Sequence, residues 1–387
     1  MGKPIPSPLV EVSGPPRERG RQYGEQARDR IVLGIAHYSE QLAARKLGPT
    51  EIRDLAITFE PTISAFDPAY VEEMKGIAEG AGVAYGDVVL LNARTEILKL
   101  AEQRGAQAPR DQEPDGCTGL ALLPEATSSG RLIHAQNWDW KAECSETTVV
   151  LRIRREDGPD VLTYTEAGGL ARSGMNAAGI SITANYLESD RDYSTLGVPL
   201  PFIRRKALEQ RRYAEALAIV YCTPKSCSNN MMLAQCNGVV VNLECAPDET
   251  FLVLPERGAL VHANHFQSPI ALSKLVERGV RNMPDSLYRD IRVRQLIEPH
   301  LGKATLTDAA NALLDDFETP WSVCRPPRPS KVTNLSATVA TVLMEPTLGQ
   351  MHVAMLPALC PEFTTYELAM DIEEPKSAGV KPVFLTA

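Results

Sequence analysis

At Cys117 the hydrophobic period of this chain changes. Ahead of it, apolar residues recur at spacings of three and four; beyond it they alternate or run in short blocks. A chain with that switch builds helices first and sheet afterwards. From about Pro16 to Leu47, Ile31, Val32, Ile35, Tyr38 and Leu42 mark one face behind a polar start, which predicts a helix. Asp67-Pro68 begins another through Tyr70, Met74 and Ile77, with proline just inside its first turn. Gly80 to Gly86 breaks it, and Asp87 is the expected N-cap of a helix over Val88 to Lys99. After Cys117, strands are predicted over Thr118–Leu123, Leu132–Asn137, Thr147–Ile153, Val161–Thr165, Ile180–Asn185, Met231–Leu233, Val239–Glu244, Phe251–Leu254 and Gly258–His262. Asp157-Gly158-Pro159 and Asn237-Gly238 read as hairpin turns. Helical patterns return at Phe202–Glu209, Tyr213–Tyr221, Pro269–Gly279, Leu287–Ile297 and Leu306–Leu314, and strands at Val339–Met344 and Gln350–Met355. Periodicity alone supports the α+β class; two antiparallel sheets face to face with helices outside would accommodate the order.

The residues at the switch carry chemistry. A polar loop from Ala101 to Glu113 leads into Asp115-Gly116-Cys117-Thr118, and the hairpin after it has a cysteine at the entrance of its first strand. Most cysteines are small buried hydrophobes, and the chain has eight. This one is singled out by position. Cut before Cys117, the chain would present a thiol and a free α-amine on one residue. That amine, with an ordinary pKa of roughly 8, can act as general base for its own nucleophile. No histidine is then required.

Composition narrows the partners. The 387 residues carry a net charge of −9, which argues against nucleic acid or an anionic membrane as the main partner. The basic run Arg204-Arg205-Lys206, followed by Arg211-Arg212, is expected on the solvated face of a helix. The cysteines form no CxxC pair, so a zinc site is not expected, and their scatter suits a reducing compartment. His262 and His265 form an HxxH pair without a third ligand, too little for a metal. The N-terminus lacks the apolar core of a signal peptide, and no apolar run approaches membrane-spanning length. A cytoplasmic location is the resulting expectation.

Asp115-Gly116-Cys117-Thr118 resembles the cleavage site of the acyl-coenzyme A:6-aminopenicillanic acid acyltransferase (isopenicillin N acyltransferase-like) family, whose autoproteolytic members are N-terminal-nucleophile (Ntn) hydrolases. Gln136-Asn137-Trp138-Asp139 is similar to the family's hairpin motif at matching spacing. The resemblance extends over Gly76 to Ala81, Leu91 to Glu96, Thr165 to Gly168, Asn176 to Gly179, Gly197-Val198-Pro199, Val261-His262-Ala263-Asn264-His265 and Ser322-Val323-Cys324-Arg325, in family order. It implies a four-layer αββα sandwich of the Ntn-hydrolase type. It also implies one domain in two pieces: a helical segment, 1–116, released as the small subunit, and a catalytic large subunit, 117–387, held as a heterodimer.

The same resemblance implies site residues. Cys117 is the nucleophile, and Asn264 the oxyanion donor, unless it only structures the loop after a strand. Asp139 is placed beside the N-terminal amine or thiol. Arg325 either pairs with Asp139 or anchors a substrate carboxylate. Gly116 and Cys117 flank the cut, with Asp115 and Thr118 supporting it. One departure stands out: penicillin-forming members have Ser where this chain has Ala246, and fungal ones end in a peroxisomal signal unlike Leu385-Thr386-Ala387. The expected function is therefore an autoprocessed amidohydrolase or acyltransferase that cleaves an N-acyl amino acid (β-amino acids included) or N-acyl amine through a Cys thioester, without cofactor or metal. Two alternatives stay open: acyl-CoA-dependent transfer to 6-aminopenicillanic acid or a similar amine, and a non-catalytic binding protein on the Ntn scaffold. The expected partners are the small-molecule substrate and the chain's own N-terminal fragment, with no nucleic acid or membrane; a higher oligomer is open.

Overall fold

Proline opens four of the seven helices described in the N-terminal region. A computed structural model describes residues 5–104, 116–329 and 335–372. After strand β1 (Leu9–Val12) come α1 (Pro16–Gln26), α2 (Arg28–Ala43), α3 (Pro49–Ile57), α4 (Glu60–Phe66), α5 (Pro68–Ala81), α6 (Tyr85–Asn92) and α7 (Arg94–Arg104). A proline stands in the first turn of α1, α3, α4 and α5, where its fixed φ suits a helix and its missing N–H costs nothing. The Asp67 carboxylate caps α5 by accepting from Ala69 N at 2.9 Å, and Gly82 ends it at φ 69°, a left-handed conformation that glycine adopts without a Cβ clash.

Three sequence expectations are corrected here. The single helix over Pro16 to Leu47 is broken at Ala27 into α1 and α2. The reason lies in packing: Gly20 and Gly24 of α1 meet Gly76 and Gly80 of α5 backbone to backbone, and a Cβ on Gly20 would lie 2.1 Å from Glu73 O. With α1 locked there, α2 turns away toward Leu91 and Thr147. Asp87 is no cap. Ala84 takes that place, and Asp87 pairs instead with Arg53 of α3 at 2.8 Å; a break at Ala93 then separates α6 from α7. The run Arg204-Arg205-Lys206 is not a solvated face. Arg205 is fully buried and binds both Glu73 oxygens at 3.1 Å and Glu209 at 2.8 Å, and Arg204 is buried as well. Burial works against the Glu73 carboxylate, yet Arg205 and Arg19 hold it below its usual range. Only Arg211 and Arg212 are exposed.

Beyond Cys117 the strands β2 (Gly116–Leu122), β3 (Ile133–Lys141), β4 (Thr148–Ile153), β5 (Val161–Glu166), β6 (Ser173–Asn176) and β7 (Ile180–Tyr186) precede helices α8 (Leu200–Leu208) and α9 (Tyr213–Cys222). Strands β8 (Asn229–Gln235), β9 (Val240–Cys245), β10 (Thr250–Val253) and β11 (Ala259–His262) lead to α10 (Pro269–Lys274), α11 (Gly279–Asn282), α12 (Asp285–Ile297) and α13 (Leu306–Leu313). The chain then adds β12 (Arg328–Pro329), β13 (Leu335–Glu345), β14 (Gln350–Met355) and β15 (Thr364–Glu367). Every strand expected from the sequence is present, β14 with the expected bounds and the others with adjusted ends; β1, β6, β12 and β15 are additions.

One sheet has the order β1-β4-β5-β6-β7-β8-β9-β10, the other β11-β2-β3-β13-β14-β15 with β12 on β13. Apart from β1 with β4, the named pairs are antiparallel. The sheets meet face to face where β2 and β3 pack on β7 and β13 on β6. Helices α8 and α9 lie on the outer face of the first sheet, and α12 and α13 on that of the second. This is a four-layer αββα sandwich, the architecture that the resemblance leads one to expect.

Candidate active site

The β2–β3 hairpin sorts its residues by pleat. Register pairs Gly116 with Asp139, Cys117 with Trp138 and Thr118 with Asn137. Alternate side chains point to opposite faces, so His134, Gln136 and Trp138 turn to the first sheet. There His134 shares hydrogen bonds with Ser181 and Thr183, Gln136 donates to Ala184 O, and Trp138 meets Tyr164 edge-on at 6.1 Å. Asn137 and Asp139 turn the other way, toward α13 and the segment before β12: Asn137 donates to Leu313 O and Val323 O. The motif Gln136-Asn137-Trp138-Asp139 thus serves both layers at once.

Cys117 shares the Trp138 face and is fully buried. Its Sγ accepts from Arg172 Nη2 at 3.6 Å, and the Arg172 guanidinium stacks 4.1 Å over the Trp138 ring. Its backbone N donates to Asn264 Oδ1 at 2.8 Å, and its backbone O accepts from Arg289 Nη1 at 2.6 Å. Asn264 lies just beyond β11, which pairs with β2. Asn264 Oδ1 also accepts from Arg289 Nη2 at 2.8 Å, and Nδ2 donates to Tyr186 O at 2.9 Å. Those partners fix which way the amide faces, since a flipped amide would set its N–H groups against two donors.

The loop carrying Asn264 is pinned by Glu244, whose oxygens accept from His262 Nε2, Gln267 N and Ser268 N. His265 shares a hydrogen bond with Ser286 Oγ, and burial lowers its pKa to about 4. Both histidines are thus engaged in shaping the loop. Among the described residues no group of three or more His, Cys, Asp or Glu side chains is arranged to hold a metal ion. None of the eight cysteines is in a disulfide.

On the opposite face of β2 sits a buried chain of charges. Asp139 Oδ1 accepts from Thr338 Oγ1 at 2.7 Å, and Oδ2 lies 3.5 Å from Arg325 Nε. Arg325 Nη2 pairs with Asp285, whose Oδ2 accepts from Arg289 Nε at 3.0 Å. Arg289 closes the chain on Cys117 O, Thr118 Oγ1 and Asn264 Oδ1. Two carboxylates and two guanidiniums balance, which is what makes burying all four tolerable. Gly116 is wedged against this chain: a Cβ there would lie 2.8 Å from Asp139 Oδ2 and 3.0 Å from Arg325 Nη1. Only glycine fits.

Cys117, Gly116, Thr118, Asp139, Asn264 and Arg325 therefore converge, while Asp115 lies outside the described residues. Of the two roles expected for Arg325, pairing with Asp139 matches its geometry: it is 2 % exposed and engaged by two carboxylates. Ala246 sits in an apolar cluster with Leu187, Phe251 and Phe266. Sequence reading missed Arg289, Asp285, Arg172 and Thr338. For Asp285 and Arg289 a signal existed: they are spaced i, i+4 on α12. The Arg172 segment, Ala171-Arg172-Ser173, carries none.

The family model for acyl-coenzyme A:6-aminopenicillanic acid acyl-transferase matches residues 126–355, more than half of the chain. The acyl-coenzyme A:6-aminopenicillanic-acid-acyltransferase 40 kDa form of Emericella nidulans is 28% identical over 322 residues, covering 82% of this chain and 84% of that protein. Among solved structures, a mutant of conjugated bile acid hydrolase from Clostridium perfringens is 14% identical with a TM-score of 0.45, covering 65% of this chain and 92% of that one. The N-acylethanolamine-hydrolyzing acid amidase ortholog of Caenorhabditis elegans is 17% identical with a TM-score of 0.42, covering 65% and 100%. Likeness at that level says nothing of substrate. The family match, which takes in strands of both sheets, does decide the class: the chain belongs to the acyl-coenzyme A:6-aminopenicillanic acid acyl-transferase family and is an enzyme.

Proposed function

We propose that the chain is activated by its own cleavage between Gly116 and Cys117 and then hydrolyses the amide of an N-acyl amino acid, β-amino acids included, or of an N-acyl amine. In activation the Cys117 thiol attacks the Gly116 carbonyl and the C–N bond breaks, leaving residues 1–116 as a thioester on Sγ. Water opens the thioester, freeing the Gly116 carboxylate and the Cys117 α-amine. In turnover the α-amine takes the thiol proton as Sγ attacks the substrate carbonyl. An N–H of Asn264 stabilises the tetrahedral oxyanion. The ammonium returns the proton to the departing amine, and water resolves the acyl thioester.

The observation that carries this reading is the 2.8 Å contact between Cys117 N and Asn264 Oδ1, with Sγ beside Arg172. Both atoms of the proposed nucleophile–base pair are already held. Asp139 and Arg325 act as positioning residues through Asp285 and Arg289. The two pieces are proposed to stay together, supported by buried ion pairs across the cut: Glu73 with Arg205, and Arg94 with Glu166 at 2.7 Å.

The test is turnover of N-acyl amino acids by the processed enzyme, with and without an amine acceptor and an acyl-CoA donor. Free acid released at the same rate in either case supports hydrolysis. A product formed only with acceptor and donor present would make the protein a transferase, as the name of its Emericella nidulans relative has it. No product in either case would overturn the catalytic reading.

A further inference from the structure

Self-cleavage has to begin before the base that serves later turnover exists. Until the Gly116–Cys117 bond is cut, the Cys117 nitrogen belongs to an amide, and its N–H is donated to Asn264 Oδ1 at 2.8 Å. An amide nitrogen takes no proton from a thiol. The histidines of the surrounding strands and loop are engaged elsewhere: His134 with Ser181 and Thr183, His262 with Glu244, His265 with Ser286. The sulfur must be made nucleophilic by other means.

What the structure sets against that sulfur is a guanidinium. Arg172 Nη2 donates to Cys117 Sγ at 3.6 Å, with both residues buried. Three contacts fix the donor. Its guanidinium lies 4.1 Å over the ring of Trp138, the strand partner of Cys117. Arg172 N donates to Thr163 Oγ1 at 3.3 Å, and the next residue, Ser173, donates its hydroxyl to Gln136 Oε1 at 2.6 Å. Trp138 and Gln136 both belong to β3, so the strand that pairs with Cys117 also places its cation. Burial alone favours a neutral thiol. A guanidinium donating directly to the sulfur works the other way, because the ionised acceptor takes the stronger hydrogen bond.

The other charges near the pair have partners of their own. Glu166 on β5 is bound by Arg94 and the Tyr38 hydroxyl, and Arg204 on α8 neighbours Glu96 on α7. On the opposite face of β2, Arg289 pairs with Asp285, and Arg325 lies between Asp285 and Asp139. Tyr164, edge-on to Trp138, is pushed above its ordinary range by burial and stays neutral.

We infer that Arg172 is a catalytic residue of self-activation: its guanidinium holds the Cys117 sulfur as a thiolate in the uncut chain, at the stage when no α-amine is present to act as base. The inference rests on the reading of Cys117 as nucleophile and names what prepares it. The thiol proton passes to water in a prior equilibrium. The thiolate attacks the Gly116 carbonyl carbon, the S–C bond forms, the C–N bond breaks, and the departing Cys117 nitrogen takes a proton from water. The hydroxide left behind is neutralised by the proton released first. A further water then hydrolyses the thioester to the Gly116 carboxylic acid and the Cys117 thiol.

The test is the pH profile of self-cleavage. Full-length chain kept uncut in urea is diluted into buffers from about pH 5.5 to about pH 10, and the intact fraction is followed on gels. For the wild type, the rate is expected to reach half its plateau at least about one pH unit below 8.5, the ordinary thiol value. In Arg172→Gln that midpoint should rise by about one unit or more. The variant should be about 3- to 30-fold slower at pH 7, with the gap closing above about pH 9, since its more basic thiolate is the better nucleophile. Arg172→Lys, which keeps the charge and loses the fork, should fall between the two. A variant slowed by the same factor at every pH, or not slowed at all, overturns the inference and leaves the activation reading standing. So does a wild-type midpoint at or above about 8.5, a result that needs no variant to fold. Should the wild type never be cut, the activation reading fails, and thiolate absorbance at about 240 nm, with Cys117→Ala subtracted to cancel the remaining cysteines, decides the inference separately. A Cys117 thiolate present below about pH 8 in the wild type and lost in Arg172→Gln sustains the effect of Arg172 on the sulfur; its absence in the wild type overturns it.

Discussion

Cys117 and Asn264 are joined through the backbone: the Cys117 nitrogen donates to Asn264 Oδ1 at 2.8 Å. The same Asn264 oxygen accepts from Arg289, and its amide nitrogen donates to Tyr186 O. A side chain so placed holds the nitrogen that cleavage would turn into an amine. Asn264→Ala is expected to lower kcat by ~10²–10³, as for loss of one oxyanion donor, with processing at least partly intact. Rates measured on fully processed protein check this, and an unchanged kcat would leave Asn264 a purely structural residue.

Arg325 is caught between Asp139 and Asp285, so its guanidinium is engaged by carboxylates on both sides. Arg325→Lys keeps the charge and loses the planar fork. Both N-acyl amino acids and N-acyl amines should then lose kcat/KM by the same factor. Arg325→Met should cost about 3–5 kcal/mol of stability, because two buried carboxylates lose a partner. A selective loss for the carboxylate-bearing substrates would return the anchor role to Arg325.

Gly116 tolerates no side chain in its present position, with the Asp139 carboxylate 2.8 Å from where a Cβ would sit. Gly116→Ala must displace either the strand entrance or the Asp139–Arg325 pair, and self-cleavage should slow by at least about tenfold, the cost of roughly 1.4 kcal/mol in the barrier. The fraction of intact chain on a gel against time measures it. Processing at the wild-type rate would mean that the contact does not constrain the cut.

Glu96 gives a pH-dependent stability. Burial is the main cause of its rise from the ordinary 4.5 to about 6, while Arg204 and Arg94 pull the other way. A carboxyl with a raised folded pKa costs nothing below about 4.5, loses stability as pH climbs from 4.5 to 6, and carries the full penalty above that. Glu96→Gln cannot ionise. Its stability relative to wild type should therefore improve by up to about 2 kcal/mol between pH 4.5 and pH 8. Urea melts of both proteins at the two pH values test this; a difference that does not change with pH would show that Glu96 is not buried as a neutral acid.

Much of the site was legible because pairing in a hairpin follows from period two. Once Cys117 opens a strand and Asp139 ends its partner, the two strand ends must meet, and Gly116 does pair with Asp139. The glycine-rich contact of α1 with α5 was not legible, since nothing in the sequence says which helix Gly20 and Gly24 will touch. Arg205 misled for a related reason: three adjacent cations look solvated until Glu73 arrives from a helix far earlier in the chain. Arg289 reaches Cys117 across a separation of 172 positions. Side chains that depend on such long-range partners leave no periodic trace, whereas a helix start such as Asp67-Pro68 depends on its immediate neighbours and is read directly.

The most direct test of self-activation is the intact mass of the purified protein combined with N-terminal sequencing of its larger fragment. The expected result is two associated pieces, residues 1–116 and 117–387, the larger beginning Cys-Thr-Gly-Leu, with Cys117→Ala remaining a single chain under the same conditions. A cut at any other bond, or a Cys117→Ala chain processed like wild type, would contradict it.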